Sequence, residues 1–453
     1  MSSDIQGRPT EPPQPGNTRA ISLFTASSLV VANTIGTGVF TSLGFQAADI
    51  RSGFSLLLLW VIGGVFAFCG ALAYGELSAL MPRSGGEYHF LSKIYHPAIG
   101  FLSGWISVTV GFAAPIALSA MALGEYFSQV FPGLHPVAIA LFVTIGISIV
   151  HSRNRSIGSY FQNSTTLLKV TLIVVFIICG LSISTPQTLS FLPSNENVGA
   201  ILSAPFAVSL IFVTYSYSGW NAAVYLASEV EHPQRNVPRA LLLGTGVVMV
   251  LYVLLNFVFL YTTPIDALAG QLEVGYIAAN SIFGEVGAKL MGLLISFGLV
   301  SSISAMVWAG PRVTQVIGED FPIFQRLSRT NRHGVPYYAL WLQLAIVVGL
   351  VLTSTFEAVL TYLGFTLTIS SLLTVAGVFV LRVTQPNTPR PYKTWGYPLT
   401  PIVFIGISLW ILVFVFSSKP VESIAGLATI ALGFPVYLFA AKRSLVSSKS
   451  QSR

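Results

Sequence analysis

Thr34-Ile35-Gly36-Thr37-Gly38-Val39-Phe40 lies in the middle of an apolar run from about Ile21 to Ala48. A run of that length is able to cross a bilayer, which takes roughly 20 apolar residues in a helix. Two glycines and two threonines nevertheless stand where a spanning helix should be most regular. Glycine in a helix interior costs about 1 kcal/mol relative to alanine. Inside a membrane, backbone groups released from a helix are tolerated only where they are buried in protein or line a watery cavity. The stretch is therefore either a notch for helix packing or a break that presents bare backbone to a ligand.

The surrounding chain makes the setting a membrane. Only 9% of its 453 residues are charged, against about 25% in soluble domains, and the mean hydropathy is +0.75. Apolar runs recur at roughly 21–48, 54–80, 95–128, 136–150, 162–184, 201–229, 238–262, 281–316, 337–354, 358–382, 401–417 and 422–441, which makes about twelve helical spans. The runs are too long for strands and lack period-two alternation. The fold class is an all-α polytopic membrane protein. Residues 1–20 are polar and carry Pro9, Pro12, Pro13 and Pro15 without an apolar core. They read as a disordered cytoplasmic tail and not as a signal peptide. A second cytoplasmic tail is expected at 442–453. Cys69 and Cys179 each lie inside an apolar run, giving neither a disulfide framework nor metal spacing. No metal or cofactor is expected.

The formal charge of +7 follows from topology. With the N-terminus in the cytoplasm and alternating loops, 19 of the 23 Lys and Arg residues fall inside. Arg51, Lys289 and Lys419 fall outside, and Lys169 falls within a span. A bias of this size matches the positive-inside rule and needs no nucleic-acid partner. The expectation is a multi-pass protein of the cell inner (plasma) membrane, in contact with lipid, with both termini cytoplasmic.

The run at 201–229 carries Tyr215-Ser216-Tyr217-Ser218-Gly219-Trp220-Asn221 at its middle. It is the sixth span by count, and the opening stretch is in the first. Interrupted helices at corresponding positions of two halves point to a transporter site. The halves are 21–184, spans one to five, and 201–382, spans six to ten, followed by two further spans at 401–441. An odd number of spans per half inverts the second. A broken helix exposes N–H groups at one end and C=O groups at the other, with partial positive and negative charge. Together these suit a zwitterion, carboxylate on the N–H groups and ammonium on the carbonyls. Taken alone, Gly36 and Gly38 read equally well as helix packing by small residues. A dinucleotide-binding loop is excluded, since no strand precedes the glycines.

These stretches resemble the amino acid–polyamine–organocation (APC) superfamily of transporters, and within it the L-type amino acid transporter group. The likeness is carried by Gly36-Thr37-Gly38-Val39-Phe40, by Pro82-Arg83-Ser84-Gly85-Gly86-Glu87-Tyr88, by Tyr217-Ser218-Gly219-Trp220-Asn221 with Glu229 and Pro233-Gln234-Arg235-Asn236-Val237-Pro238, and by Gly310-Pro311-Arg312-Val313. It implies a LeuT-type fold, a five-plus-five inverted repeat with helices one and six broken. It implies that the substrate carboxylate goes to Thr37 and Gly38 with Thr34, Ile35 and Gly36. The ammonium goes to carbonyls near Thr34 and at the sixth-span break. The candidate substrate-binding set there is Tyr215, Ser216, Ser218, Gly219, Trp220 and Asn221. Tyr215 stands where many relatives have an aromatic outer gate, and Ser218 stands where many have glycine, which narrows the pocket. Eukaryotic relatives of the group pair with a single-span glycoprotein through a cysteine outside span three. The loop from Glu125 to Pro136 has no cysteine, so no disulfide-linked partner subunit is expected.

Lys169 sits at membrane depth, where an unpartnered lysine costs a few kcal/mol. One reading is snorkelling to the cytoplasmic interface. The resemblance implies another: in sodium-independent members a lysine here ties span five to the first break and to span eight, in place of sodium, either structurally or as a titrating proton carrier. Its partners would be the hydroxyls of Ser301, Ser302 and Ser304. Glu76 and Glu229 lie near cytoplasmic helix ends, close in sequence to Arg83, Arg235 and Arg239. They read either as an inner gate or as solvated charges worth under about 1 kcal/mol. Gly100-Phe101-Leu102-Ser103-Gly104 reads as helix packing.

The leading expectation is sodium-independent transport of small or neutral L-amino acids by alternating access, as an exchanger or a proton symporter. A cationic amino acid or polyamine carrier of the same superfamily is the alternative. A channel or amino acid sensor is the alternative of another class, but polarity gathers at two mid-depth points and forms no continuous stripe. Intramembrane catalysis is disfavoured, because His89, His96, His135, His151, His232 and His333 all fall in loops or at span ends.

Overall fold

The computed structural model describes residues 21–153, 158–184 and 186–451. The expected tail at 1–20 lies outside the described residues, whereas the chain around 442 continues a helix as far as Gln451.

The first apolar run is two helices, α1 (Leu23–Thr34) and α2 (Gly38–Asp49), separated by residues 35–37. The next span, α3 (Gly53–Leu80), is continuous. Gly85 and Gly86 then adopt φ values of +122° and +56°, a region open to glycine at little cost, and turn the chain into the short α4 (Gly86–Ile94). The third span is α5 (Pro97–Ile106), a π-turn at Ser107–Gly111, and α6 (Ala113–Val130). Helices α7 (Pro136–Arg153) and α8 (Gly158–Leu181) complete the first half.

The second half opens with short α9 (Asn195–Ile201) and α10 (Ala204–Ser216), which gives way to a turn and a 3-10 segment, Ala222–Glu229. There follow α11 (Pro233–Thr262), short α12 (Ile265–Leu268), α13 (Val274–Asp320), short α14 (Gln325–Ser328), α15 (Tyr337–Thr353) and α16 (Phe356–Thr384). Helices α17 (Leu399–Ser418) and α18 (Pro420–Gln451) close the chain.

Among the described residues, nine helices are long and apolar enough to cross a membrane, counting α1–α2 and α5–α6 as one each. Three shorter apolar stretches, Thr165–Leu181, Ala204–Ser216 and Tyr337–Thr353, accompany them. Every apolar run read from the sequence falls on helix. The differences lie in where helices are interrupted. The span expected at 281–316 begins earlier, with an arm at 274–283 that turns at Gly284, φ +71°. The second half of the sixth run is not an α-helix but a 3-10 coil. Its course is held by Trp220, wedged against Gly70, and by Tyr225, wedged against Gly86; a Cβ on either glycine would lie within 3 Å of those rings.

The core is built where α3 packs on α11, α6 on α13 and α1 on α11. Large apolar side chains such as Phe142, Leu167, Val286 and Leu432 point outward, as expected of helices whose solvent is lipid. Helix α2 packs against α10 and α1 against the 3-10 segment. The first half of one interrupted helix thus meets the second half of the other, and the two run antiparallel.

Two ion pairs lie at one end of the helix bundle. Arg51 pairs with Asp266 and Lys419 with Glu357, both at 2.7 Å. At the other end the pairing expected for Glu76 is corrected. Its carboxylate is held by Arg382 at 2.7 Å, Arg390 at 3.1 Å and the N–H of Thr394 at 2.7 Å. Arg83, its neighbour in sequence, is exposed. The end of α3 lies beside the end of α16, so arginines some three hundred positions away are nearer in space. Glu229 makes no side-chain ion pair among the described residues; its carbonyl accepts from the N–H of Ile21 at 3.1 Å. The small residues of α5 do serve packing, since a Cβ on Gly100 would fall on Ser92 and one on Gly104 would press Tyr88 and Ile317.

Candidate functional site: a cleft between two helix breaks

Helix α1 ends on its own side chains. The amide of Asn33 donates to the carbonyl of Leu29 at 2.9 Å and the hydroxyl of Thr34 to that of Val30 at 2.7 Å. Such side-chain bonds offer the backbone an alternative to the helix ladder. Two carbonyls of the break are taken by donors from elsewhere. The hydroxyl of Tyr252, on α11, donates to Thr34 O at 2.7 Å, and Lys169 Nζ, on α8, donates to Ile35 O at 3.2 Å. Among the described residues, the N–H groups of Gly36 and Thr37 have no backbone acceptor, and that of Gly36 faces the hydroxyl oxygen of Tyr252. They precede the N-terminus of α2, the positive end of that helix. The hydroxyl of Thr37 pairs with Ser119 of α6 at 2.7 Å, and Tyr215 faces Thr37 from α10.

The second break begins as Ser216 Oγ donates to Phe212 O at 2.8 Å and Ser218 N to Tyr215 O at 2.7 Å. Gly219 then takes φ +102°. The two breaks touch, and a glycine on each side provides the clearance. A Cβ on Gly219 would stand 2.6 Å from Asn33 O, and one on Gly38 would stand 2.4 Å from Ser216 Oγ. Ser42 and Ser216 bridge the contact with a hydroxyl pair at 3.0 Å.

Thr34, Ile35, Gly36, Thr37 and Gly38 therefore lie together with Tyr215, Ser216 and Gly219. Trp220 and Asn221 do not join them. The Trp220 ring stacks edge-on to Tyr74 at 4.6 Å and faces Phe404, and Asn221 reaches Glu87 at 3.4 Å. Ser218 sits in the turn between these groups.

Lys169 is buried and turned to the break, not to an interface. The three serines expected around it divide: Ser302 accepts from Lys169 at 2.7 Å, Ser301 pairs with Thr165 at 2.6 Å, and Ser304 pairs with His151 at 2.8 Å. A narrow crevice lined by Gly36, Phe40, Lys169, Leu172, Ile295 and Ser302 lies behind the break.

Sequence reading missed Ser42, Ser119, Tyr252 and Glu87. The first three are lone polar groups in long apolar runs, a weak signal without a partner in view. Glu87 was visible within Pro82–Tyr88 but gave no hint of its position beside the second break. Chemically, the cleft offers backbone N–H groups at one helix start, carbonyls at two helix ends that each already accept a protein donor and keep a second lone pair, and a ring of hydroxyls. That arrangement suits a small molecule carrying both charges.

A family model described as amino acid permease matches residues 21–439. The serine/threonine exchanger SteT of Bacillus subtilis (strain 168) is 26% identical over 94% of this chain and 98% of its own length. The b(0,+)-type amino acid transporter 1 of Mus musculus is 27% identical, covering 89% of this chain and 83% of its own. The large neutral amino acids transporter small subunit 2 of Homo sapiens is 28% identical over 92% and 80%.

Proposed function

This chain belongs to the amino acid permease family and is an amino acid transporter of the APC superfamily; from that premise we propose that it carries small or neutral L-amino acids across the plasma membrane by alternating access, without sodium. The carrying observation is the contact of two antiparallel interrupted helices, with N–H groups at the start of α2 opposed to the end of α10. The substrate carboxylate goes to the N–H groups of Gly36, Thr37 and Gly38 and the Thr37 hydroxyl. The ammonium goes to the carbonyls at the ends of α1 and α10. The antiparallel pairing supports a LeuT-type five-plus-five inverted repeat.

Lys169 takes the place of a sodium ion. Its ammonium ties α8 to the first break and to Ser302 of α13, the three elements whose relative motion opens the site. The neutral, hydroxyl-lined cleft supports small neutral substrates, as does the likeness to a protein named a serine/threonine exchanger. Cationic substrates are less well served, because Glu87, the buried acid bonded to Asn221 of the second break, is already occupied by protein donors. Both termini are placed in the cytoplasm, and no disulfide-linked subunit is required.

The test is a panel of radiolabelled amino acids against proteoliposomes holding the purified chain, with and without sodium. Counterflow of L-serine, L-alanine or L-threonine in sodium-free buffer is the expected result. Uptake that requires sodium, or that is confined to arginine, lysine and polyamines, would overturn it.

A further inference from the structure

Glu87 is buried, and no cation pairs with it among the described residues. Four side chains bond to it from three elements. Tyr74 of α3, Asn221 of the second break and Ser371 of α16 reach Oε1, at 2.5, 3.4 and 3.2 Å. Ser370 of α16 reaches Oε2 at 2.8 Å and also pairs with Ser103 of α5 at 3.0 Å. The titratable groups facing it are Tyr74 and Tyr225 of the 3-10 segment. On its own side of the chain, the cations Arg83 and Lys93 are exposed, and His89 is half-buried. Helices α5 and α16 present only hydroxyls.

The two oxygens differ in what they accept. Oε1 is surrounded by groups that donate. Oε2 meets a hydroxyl chain, Ser370 to Ser103, and a hydroxyl both donates and accepts. When the carboxylate is charged, Ser370 donates to Oε2. When a proton sits on Oε2, it donates to Ser370, whose own hydrogen turns to Ser103. No hydrogen bond is lost in either state. Burial lifts the Glu87 carboxyl above the usual carboxylate range, while its hydrogen bonds pull the other way. A buried ionisable group whose proton affinity is shifted by its surroundings is a functional-site candidate.

Resting on the transport reading above, we propose that Glu87 is a proton site beside the second break, loaded in the outward-open state and emptied to the cytoplasm, that couples proton entry to amino acid entry. The link to the second break is Asn221, which follows the turn at Gly219. With Glu87 charged, the Asn221 bond is charge-assisted and holds the second break closed; a proton on Oε2 reduces it to a neutral bond, roughly half as strong. The 3-10 segment is then free to part from the loop at 81–85, to which the hydroxyl of Ser84 ties Ser228 at 2.5 Å. Opening that side exposes Glu87 to the cytoplasm, and the proton leaves to water. One proton enters and one leaves; no other reactant is needed.

Two measurements on the purified full chain in proteoliposomes test this. First, an inside-alkaline gradient, clamped with valinomycin and potassium, should drive concentrative uptake of radiolabelled L-serine by the wild type. Glu87→Gln should show none, and its serine counterflow should lose the pH dependence that the wild type shows. Second, infrared difference spectra should show a protonated carboxyl band in the wild type that disappears on raising pH. The band should be absent in Glu87→Gln and shifted in Ser370→Ala, which keeps the carboxyl should the first variant fold poorly. Counterflow without gradient-driven uptake overturns the proton site and leaves the transporter reading standing. Absence of counterflow for every amino acid overturns the transporter reading, and the infrared titration then decides whether Glu87 binds a proton at all. A wild-type pH profile in Glu87→Gln, or no titrating band, overturns the proposal.

Discussion

Two buried charges flank the cleft, one at each break, and neither has an opposite charge beside it. Lys169 reaches the first break directly, through the carbonyl of Ile35 at 3.2 Å, whereas Glu87 reaches the second only through the amide of Asn221 at 3.4 Å. A third buried charge, Glu76, is held by two arginines and a backbone N–H. The exposures of Glu76, Glu87 and Lys169 are 1%, 6% and 7%, so depth does not separate them. Partners do. A buried ion with counter-ions is locked by Coulomb attraction, and breaking one is costly. A buried ion held only by dipoles keeps the option of changing its charge or its neighbours. The paired acid therefore reads as a fastening between the end of α3 and the end of α16, and the two unpaired charges as the groups that respond during transport.

Variants sharpen this contrast. Glu76→Gln should have the largest effect on stability, about 3 kcal/mol, because it strands Arg382 and Arg390. Unfolding in detergent measures it, and the pH profile of transport should be unchanged. Lys169→Ala should slow sodium-free counterflow roughly ten- to hundredfold, since a hydrogen bond from a charged group is worth about 1.5–3 kcal/mol. Transport at the wild-type rate would detach Lys169 from the mechanism and leave it a mere packing residue.

The Glu87 carboxyl should make stability pH-dependent in a definite direction. Its folded value lies above the ordinary one. The folded state then holds a proton that the unfolded chain has released. The associated stability is complete below about pH 4, where glutamate in an unfolded chain is protonated. It declines as pH rises, and it is gone above the folded value. The unfolding temperature in detergent should fall over that window for the wild type and fall less for Glu87→Gln. Tyr252→Phe should have the smallest effect, about 1 kcal/mol or roughly fivefold in rate, from one neutral hydrogen bond to Thr34 O.

The parts legible in the sequence were those written in local composition. Apolar runs marked the helices because a bilayer demands length and hydrophobicity within one segment. Gly36, Gly38 and Gly219 marked the breaks, and at Gly38 and Gly219 the close contact between the two breaks tolerates no Cβ. Lys169 stood out as a cation in an apolar run. What the sequence concealed depends on partners far along the chain. Glu76 looked tied to nearby Arg83 but is held by Arg382 and Arg390. Glu87 looked like a loop acid, yet its ligands come from α3, α16 and the second break. The 3-10 coil at Ala222–Glu229 follows from Trp220 and Tyr225 filling glycine notches on other elements, which no periodicity reports.

The central claim is that the two breaks form one substrate site, and Gly38 tests it most directly. A side chain there would collide with Ser216 across the cleft. Equilibrium binding of radiolabelled L-serine to purified wild type and Gly38→Leu, each checked for a monodisperse, folded state in detergent, is the measurement. The expected result is saturable binding by the wild type and none by the variant. A folded Gly38→Leu protein that binds serine with wild-type affinity would contradict the account.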